Sequence, residues 1–311
     1  MAGAQQGLSP ATIRSAYTRA MSKFARGLAL IKESWGVLKQ NPGLLALPAL
    51  SFTALLLLFM AIATPFIAEP ELLAALSRDD ATGQRQTPIL YYVVLGVFYF
   101  AMNFIIVFFN VALIACVIER LSGRPASIGF GLKASMSRLP QIVGWAALAA
   151  TVGVILKALE ERVPALGKIV VRMLGYGWAI VTFFVVPIVA LEKLGPIDAV
   201  KRSTEVIKRT WGESLTGTVG LGFLSFLLML PGFFILGFGF WRVVESRPTP
   251  DWTPMILAGI FAVAYFIAVG LVMSLLKQIF IAGAYVYATS GQLPSGFTQD
   301  SLSAAFRTKG R

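Results

Sequence analysis

Residues 89–118 read ILYYVVLGVFYFAMNFIIVFFNVALIACVI, thirty positions without a formal charge. A bilayer core about 30 Å thick is crossed by about twenty helical residues, so this run is more than long enough to span one. Five further apolar stretches, at 44–68, 139–159, 169–191, 215–240 and 255–288, bring the total to six and occupy, with the first, about half of the 311 residues. Hydrophobic residues make up 57% of the chain and charged ones 14%, which suits six spans joined by short polar connections and does not suit a soluble surface. The predicted fold class is all-α: a polytopic membrane protein of six transmembrane helices, paired as three hairpins, with amphipathic interfacial helices on the cytoplasmic side. The expected division is a basic amphipathic helix over 1–43, a six-span membrane domain over 44–291, and a tail over 292–311 carrying a short amphipathic helix near Leu302 and Phe306.

Lys and Arg set the orientation. The segment before the first span, the second and fourth connections and the tail hold eighteen of them, against eight on the opposite face. The positive-inside rule therefore places both termini in the cytoplasm, as an even number of spans requires. Acidic residues cancel the outer cations, so nearly all of the formal net charge of +12 falls on the inner face. That asymmetry predicts attraction to anionic inner-leaflet lipids of a cell's inner, plasma membrane. Nucleic acid is not an expected partner, because the basic residues are spread over four short segments between spans. The first apolar stretch begins at Leu44 and has full span length, which predicts an uncleaved signal anchor. Cys116 lies in an apolar run and reads as a small buried hydrophobe.

The chain repeats itself. Ile31-Lys32-Glu33-Ser34-Trp35-Gly36 precedes span 1 and Ile207-Lys208-Arg209-Thr210-Trp211-Gly212 precedes span 5, with a degraded copy, Leu132-Lys133-Ala134-Ser135-Met136, before span 3. Ser122-Gly123-Arg124-Pro125, Gly195-Pro196 and Ser290-Gly291-Gln292-Leu293-Pro294 close the three units. Each unit thus reads as amphipathic helix, span, outer turn, span and Gly/Pro break.

The first amphipathic helix is expected between the Ser9-Pro10 cap and the Asn41-Pro42-Gly43 stop. Tyr17, Met21, Phe24, Leu28, Ile31, Trp35 and Leu38 form its apolar stripe. A second stripe runs through Ile197, Val200, Thr204, Ile207 and Trp211 after an Asp198 cap, and a third through Ile128, Leu132, Met136 and Leu139. The candidate lipid-interface residues are Trp35, Lys32, Lys39, Lys201, Arg202, Lys208, Arg209 and Trp211. Such helices either lie among headgroups or dock a partner, and the basic flanks favour the headgroups.

Within the membrane, spans 2 and 6 exceed the core thickness and must tilt, bend or project. Aligning the closing glycines puts Asn110, Thr182 and Gln278 at one level beside Lys277. This polar level is either the lining of a pathway or pocket, with Lys277 meeting an anionic group, or a set of interhelical hydrogen bonds with Lys277 snorkelling to the inner headgroups. The second is favoured, because a span starting at Met255 reaches the inner boundary near Lys277. Pro48 and Pro65 in span 1, Pro187 in span 4 and Pro231 in span 5 should kink their helices or sit near helix ends.

Catalysis finds little material. With no histidine and one cysteine, a His-based triad, a Cys/His metal site and a haem ligand set are excluded, and no cofactor is expected. Ser274 and Lys277 share a helical face without a supporting motif.

The Ile-Lys-x-Ser/Thr-Trp helices, the Gly195-Pro-Ile-Asp-Ala-Val-Lys-Arg-Ser203 run and the Ser-Gly-x-x-Pro-Ser-Gly-Phe close at 290–297 resemble an uncharacterised family of prokaryotic six-span proteins. Similar runs occur in the membrane portion of some glycerophosphodiester phosphodiesterases, whose catalytic barrel has no counterpart here. The resemblance implies a lipid-associated neighbourhood and brings no site residues. The expected function is a non-enzymatic integral membrane protein that organises or contacts lipids and partner proteins, itself included as a homo-oligomer. The alternative is a small-solute or lipid transporter or channel using the level around Lys277.

Overall fold

The computed structural model describes residues 31–69, 89–209, 214–246 and 251–297. The first helix is described over 31–40, here α1. A 3-10 turn, Pro42–Leu45, leads into α2 (Ala46–Ala68), followed by α3 (Ile89–Leu121), α4 (Ile128–Met136), α5 (Leu139–Arg162) and α6 (Ala165–Val181). Then come α7 (Val185–Glu192), α8 (Pro196–Arg209), α9 (Ser214–Glu245) and α10 (Thr253–Ser290). Every regular element among the described residues is helical. Six segments are long and apolar enough to cross a membrane: Pro42–Pro65, Tyr91–Leu121, Leu139–Arg162, Leu166–Glu192, Gly222–Glu245 and Thr253–Ser290. The expected residues 9–30 of the first helix, the outer connection around Thr82 and the tail helix near Phe306 lie outside the described residues.

The chain divides into two compact units, Pro42–Arg209 and Met1–Asn41 with Thr210–Arg311. In the first, α3 packs against α2, α4, α5 and α7, while α8 packs on α7. The core is concentrated at the end that carries the short helices. There Val111, Leu113, Ile114 and Val117 of α3 meet the same fate as Phe184, Val185 and Ile188 of the fourth span: all are fully buried. Cys116 is buried with them, its thiol donating to the Ser127 carbonyl at 3.3 Å. Toward the far ends apolar side chains stay exposed, as Leu57 of α2 and Met173 of α6 do, which is the pattern of lipid-facing surface.

The fourth span departs from expectation. It begins at Ala165, four residues before the expected start, and a turn at 182–184 splits it into α6 and α7, which puts Pro187 near a helix end. Pro187 accounts for the position: without an N–H it cannot bond the Phe183 carbonyl, and its ring crowds that group. The proline therefore sits in the first turn of a new helix. By contrast α9 runs through Pro231 and α2 through Pro65. Near their shared connection α5 and α6 are tied by Arg172 to Glu160 at 3.4 Å, and the Tyr92 hydroxyl donates to Glu161 at 3.0 Å. Both glutamates are therefore paired.

In the second unit α9 packs along α10, a continuous helix of 38 residues, about 57 Å long and well beyond a 30 Å core. Helix α1 stops as expected, with the Asn41 amide bonded to the Leu38 carbonyl at 2.9 Å and its side chain to the Val37 carbonyl at 3.0 Å. The close at 290–297 belongs to this unit's packing. Gly291 takes the left-handed conformation that ends α10 (φ 68°), and buried Phe297 lays its ring where a Cβ on Gly283 would stand, 2.9 Å away. Gly296 (φ 89°) comes as close to Val37 of α1.

Candidate functional site

The three lead-in helices bury one polar residue each. Ser34 in α1, Ser135 in α4 and Ser203 in α8 are fully inaccessible. Their surroundings in sequence are Ile31-Lys32-Glu33-Ser34, Leu132-Lys133-Ala134-Ser135 and Val200-Lys201-Arg202-Ser203. The third copy of the repeat is thus better registered on Ser203 than on Thr210, seven residues earlier. A shift of seven is close to two helical turns, so it preserves the face and hides in a sequence alignment. The residue four before the serine is small in the two copies that are fully described. Ala199 is fully buried, and a Cβ on Gly131 would lie 2.6 Å from the Ala112 carbonyl oxygen, so α4 approaches α3 backbone to backbone.

Two of the serines have partners. Ser135 donates to the Phe108 carbonyl at 2.7 Å, and Ser203 accepts from the Phe184 amide at 3.1 Å within the break of the fourth span. Ser34 Oγ has no partner among the described residues.

These helices pack through small residues and serine together with part of their apolar side chains, and other large apolar side chains are left at the margin. The stripes read from sequence divide between the two: Trp35 is 40% exposed, Met136 58% and Ile197 62%, while Ile31, Leu38 and Ile207 are buried. Lys32, Lys133 and Lys201, each two residues before its serine, are all exposed, since two helical steps turn a side chain about 200° away. Each helix therefore shows an outward lysine beside an exposed large apolar residue. In α1 the pairing is extended by Lys39, whose ammonium lies 5.9 Å from the centre of the Trp35 ring.

Not every expected interface residue is free for this. Arg202 is half-buried and bonded to both oxygens of Glu192 at 3.1 Å, holding α8 against the end of α7. Lys201 pairs with Asp198 at 3.3 Å in the open, and Asp198 stands in the first turn of α8 after Pro196 where a cap was expected. Lys208 is exposed, the Arg209 side chain is outside the described atoms, and Trp211 lies outside the described residues.

In the middle unit the polar level is displaced by two residues, less than one helical turn. A left-handed residue ends each second helix, and in the middle unit it is Lys193 (φ 57°), not Gly195. Asn110 and Gln278 both lie thirteen residues before their left-handed glycines, and the residue thirteen before Lys193 is Ile180. Thr182 instead terminates α6, its hydroxyl donating to the Trp178 carbonyl at 2.7 Å. Asn110 is half-buried, Gln278 is buried with Oε1 unpaired among the described residues, and Lys277 beside it is exposed, as is Ser274.

An open-sided groove of about 420 Å³ lies in the unit formed by α1, α9 and α10. Ile31 and Trp35 of α1, Leu224 and Leu228 of α9, and Val272 and Leu276 of α10 are among the residues that line it. The wall is wholly apolar, because the Tyr265 hydroxyl is turned to the Leu228 carbonyl at 2.6 Å. Sequence periodicity alone gave no sign of it, since it depends on α1 joining the last two spans. Among the described residues no cluster of His, Cys, Asp and Glu could hold a metal ion.

The architecture defines a multi-pass, all-helical membrane protein. The chain belongs to DUF6159, a family of unknown function, through a match over residues 89–297. No curated protein matches it. The family description names no activity and no tie to glycerophosphodiester phosphodiesterases.

Proposed function

We propose that this protein is a non-enzymatic component of the inner membrane that contacts and organises lipids, chiefly anionic ones, through its lead-in helices, with both termini cytoplasmic. The observation that carries the reading is the threefold pairing of an outward Lys (Lys32, Lys133, Lys201) with exposed large apolar side chains on helices whose serine faces are buried. Cations beside apolar groups at a membrane boundary are drawn to anionic headgroups by charge and to the acyl region by burial. The resemblance of the quoted runs to the membrane portion of some glycerophosphodiester phosphodiesterases supports a lipid setting. Partner proteins, or a second copy of the chain, would meet the same margin.

The test is lipid retention by the intact protein, read by native mass spectrometry from mixed phosphatidylglycerol and phosphatidylcholine micelles. The wild type should keep phosphatidylglycerol preferentially, and the triple variant Lys32→Gln, Lys133→Gln, Lys201→Gln should lose the preference while melting at the same temperature. Equal retention of both lipids by the wild type would overturn the reading.

A second reading, a small-solute or lipid transporter, is favoured by one feature: Gln278, buried with an unpaired oxygen next to Lys277. It requires that flux in proteoliposomes stop in Lys277→Met protein that still folds.

A further inference from the structure

We propose that the groove formed by α1, α9 and α10 holds one acyl chain of a membrane phospholipid, whose phosphate lies beside Lys277 at the groove's end. This rests on the lipid-contact reading and gives it a particular site.

Length is the first argument. The lining of α10 runs from Tyr265 to Leu276, about 16 Å of helix. Half of a hydrocarbon core about 30 Å thick is about 15 Å, so the groove has the depth of one leaflet. A groove of that length with no polar wall atom offers an acyl chain contact on three sides and gives a solute headgroup or a polar peptide nothing to bond.

Charge is the second. The groove ends at Leu276, and the next residue is Lys277, exposed. On the facing helix, Trp35 lines the groove and Lys39 lies over its ring, with Lys32 exposed next to Ile31. Three lysines thus belong to elements that wall one apolar slot. A cation at the end of a chain-length slot is the complement of a phospholipid, whose charge and tail are joined in that order. Trp35, part of the lining, is a ring of the kind that collects in the membrane-boundary belt. A second copy of the chain would have to bring an apolar helix face and an acid together, and the lysines would otherwise repel the matching lysines of that copy.

The experiment uses the full-length protein in nanodiscs containing a trace of phosphatidylglycerol or phosphatidylcholine with a mid-chain diazirine. After illumination, labelled residues are mapped by mass spectrometry. Labelling should concentrate on Leu228 and Val272, and excess unlabelled phosphatidylglycerol should compete there and not at Leu57, a lipid-facing residue of α2 that is 62% exposed. Val272→Trp, which fills the slot, should lower groove labelling about tenfold, and Lys277→Met should weaken it with both probes by a smaller factor. The competition arm needs no variant, so a Trp substitution that fails to fold leaves the test intact. Groove labelling that is uncompeted and follows Leu57 in every sample means annular lipid only and overturns the proposal, even if anionic retention persists. Absence of labelling at Leu228 and Val272 in samples where Leu57 is labelled shows the groove closed to lipid and overturns it as well. Competed labelling of the groove by both probes alike supports the site while removing the anionic preference argued above.

Discussion

The Ser203 hydroxyl accepts the Phe184 amide at 3.1 Å, so a side chain of one short helix completes the backbone at the point where the fourth span breaks. Irregular backbone at membrane depth persists only where protein supplies the lost bonds, and both residues are fully buried. The break and the serine are therefore one device, and the lead-in helix α8 is part of the span's own structure.

The three buried serines should separate on mutation. Ser203→Ala and Ser135→Ala each lose a buried bond, and each should lower the unfolding free energy by about 1–2 kcal/mol. Ser34→Ala removes a hydroxyl with no partner among the described residues and should change stability by less than about 0.5 kcal/mol, or raise it. Unfolding by titrated denaturing detergent measures all three, and equal losses would show that Ser34 is bonded too.

Glycines in two lead-in helices should behave oppositely. A Cβ on Gly131 meets the Ala112 carbonyl oxygen and the Cys116 sulfur, each at 2.6 Å, so Gly131→Ala should cost about 1–3 kcal/mol as α4 is pushed off α3. Nothing lies within 4 Å of a Cβ on Gly36, and Gly36→Ala should gain about 0.5–1 kcal/mol from helix propensity alone. Thermal melts of the two variants in one detergent decide the sign of each.

The start of α10 should depend on pH. Asp251 accepts the Thr253 amide at 3.0 Å, and this bond holds its carboxyl below the usual carboxylate range. A lowered folded-state pKa contributes stability above the unfolded value near 3.9, and that contribution is lost as pH falls through the folded value. Hydrogen exchange at the Thr253 amide, corrected for its intrinsic pH dependence, should stay protected at neutral pH and lose protection in acid. In Asp251→Ala the protection should be low throughout.

Orientation should follow the lysine and arginine bias. In a Cys116→Ala background, a cysteine at Thr82 should react with an impermeant thiol reagent on intact cells, and one at Ser303 should react only after lysis. The reverse pattern would invert the topology and move the exposed lysines of the lead-in helices to the outer face.

The number and place of the spans were legible in sequence because a bilayer imposes a length and a polarity that few other environments demand, as residues 89–118 illustrate. So were the stop at Asn41 and the outward turn of Lys32 and Lys201, which follow from helical geometry. What sequence could not supply was which helix face would pack. Within the apolar stripes Trp35, Met136 and Ile197 stay exposed while Ile31, Leu38 and Ile207 are buried, and the close approach of backbones falls to Gly131, Ala199 and the serines. The break at 182–184 and its rescue by Ser203 join residues nineteen apart through a turn whose path no local pattern encodes. The apolar groove is likewise tertiary, since Ile31 and Leu276 stand at opposite ends of the chain and become one wall only when α1 folds against the last two spans.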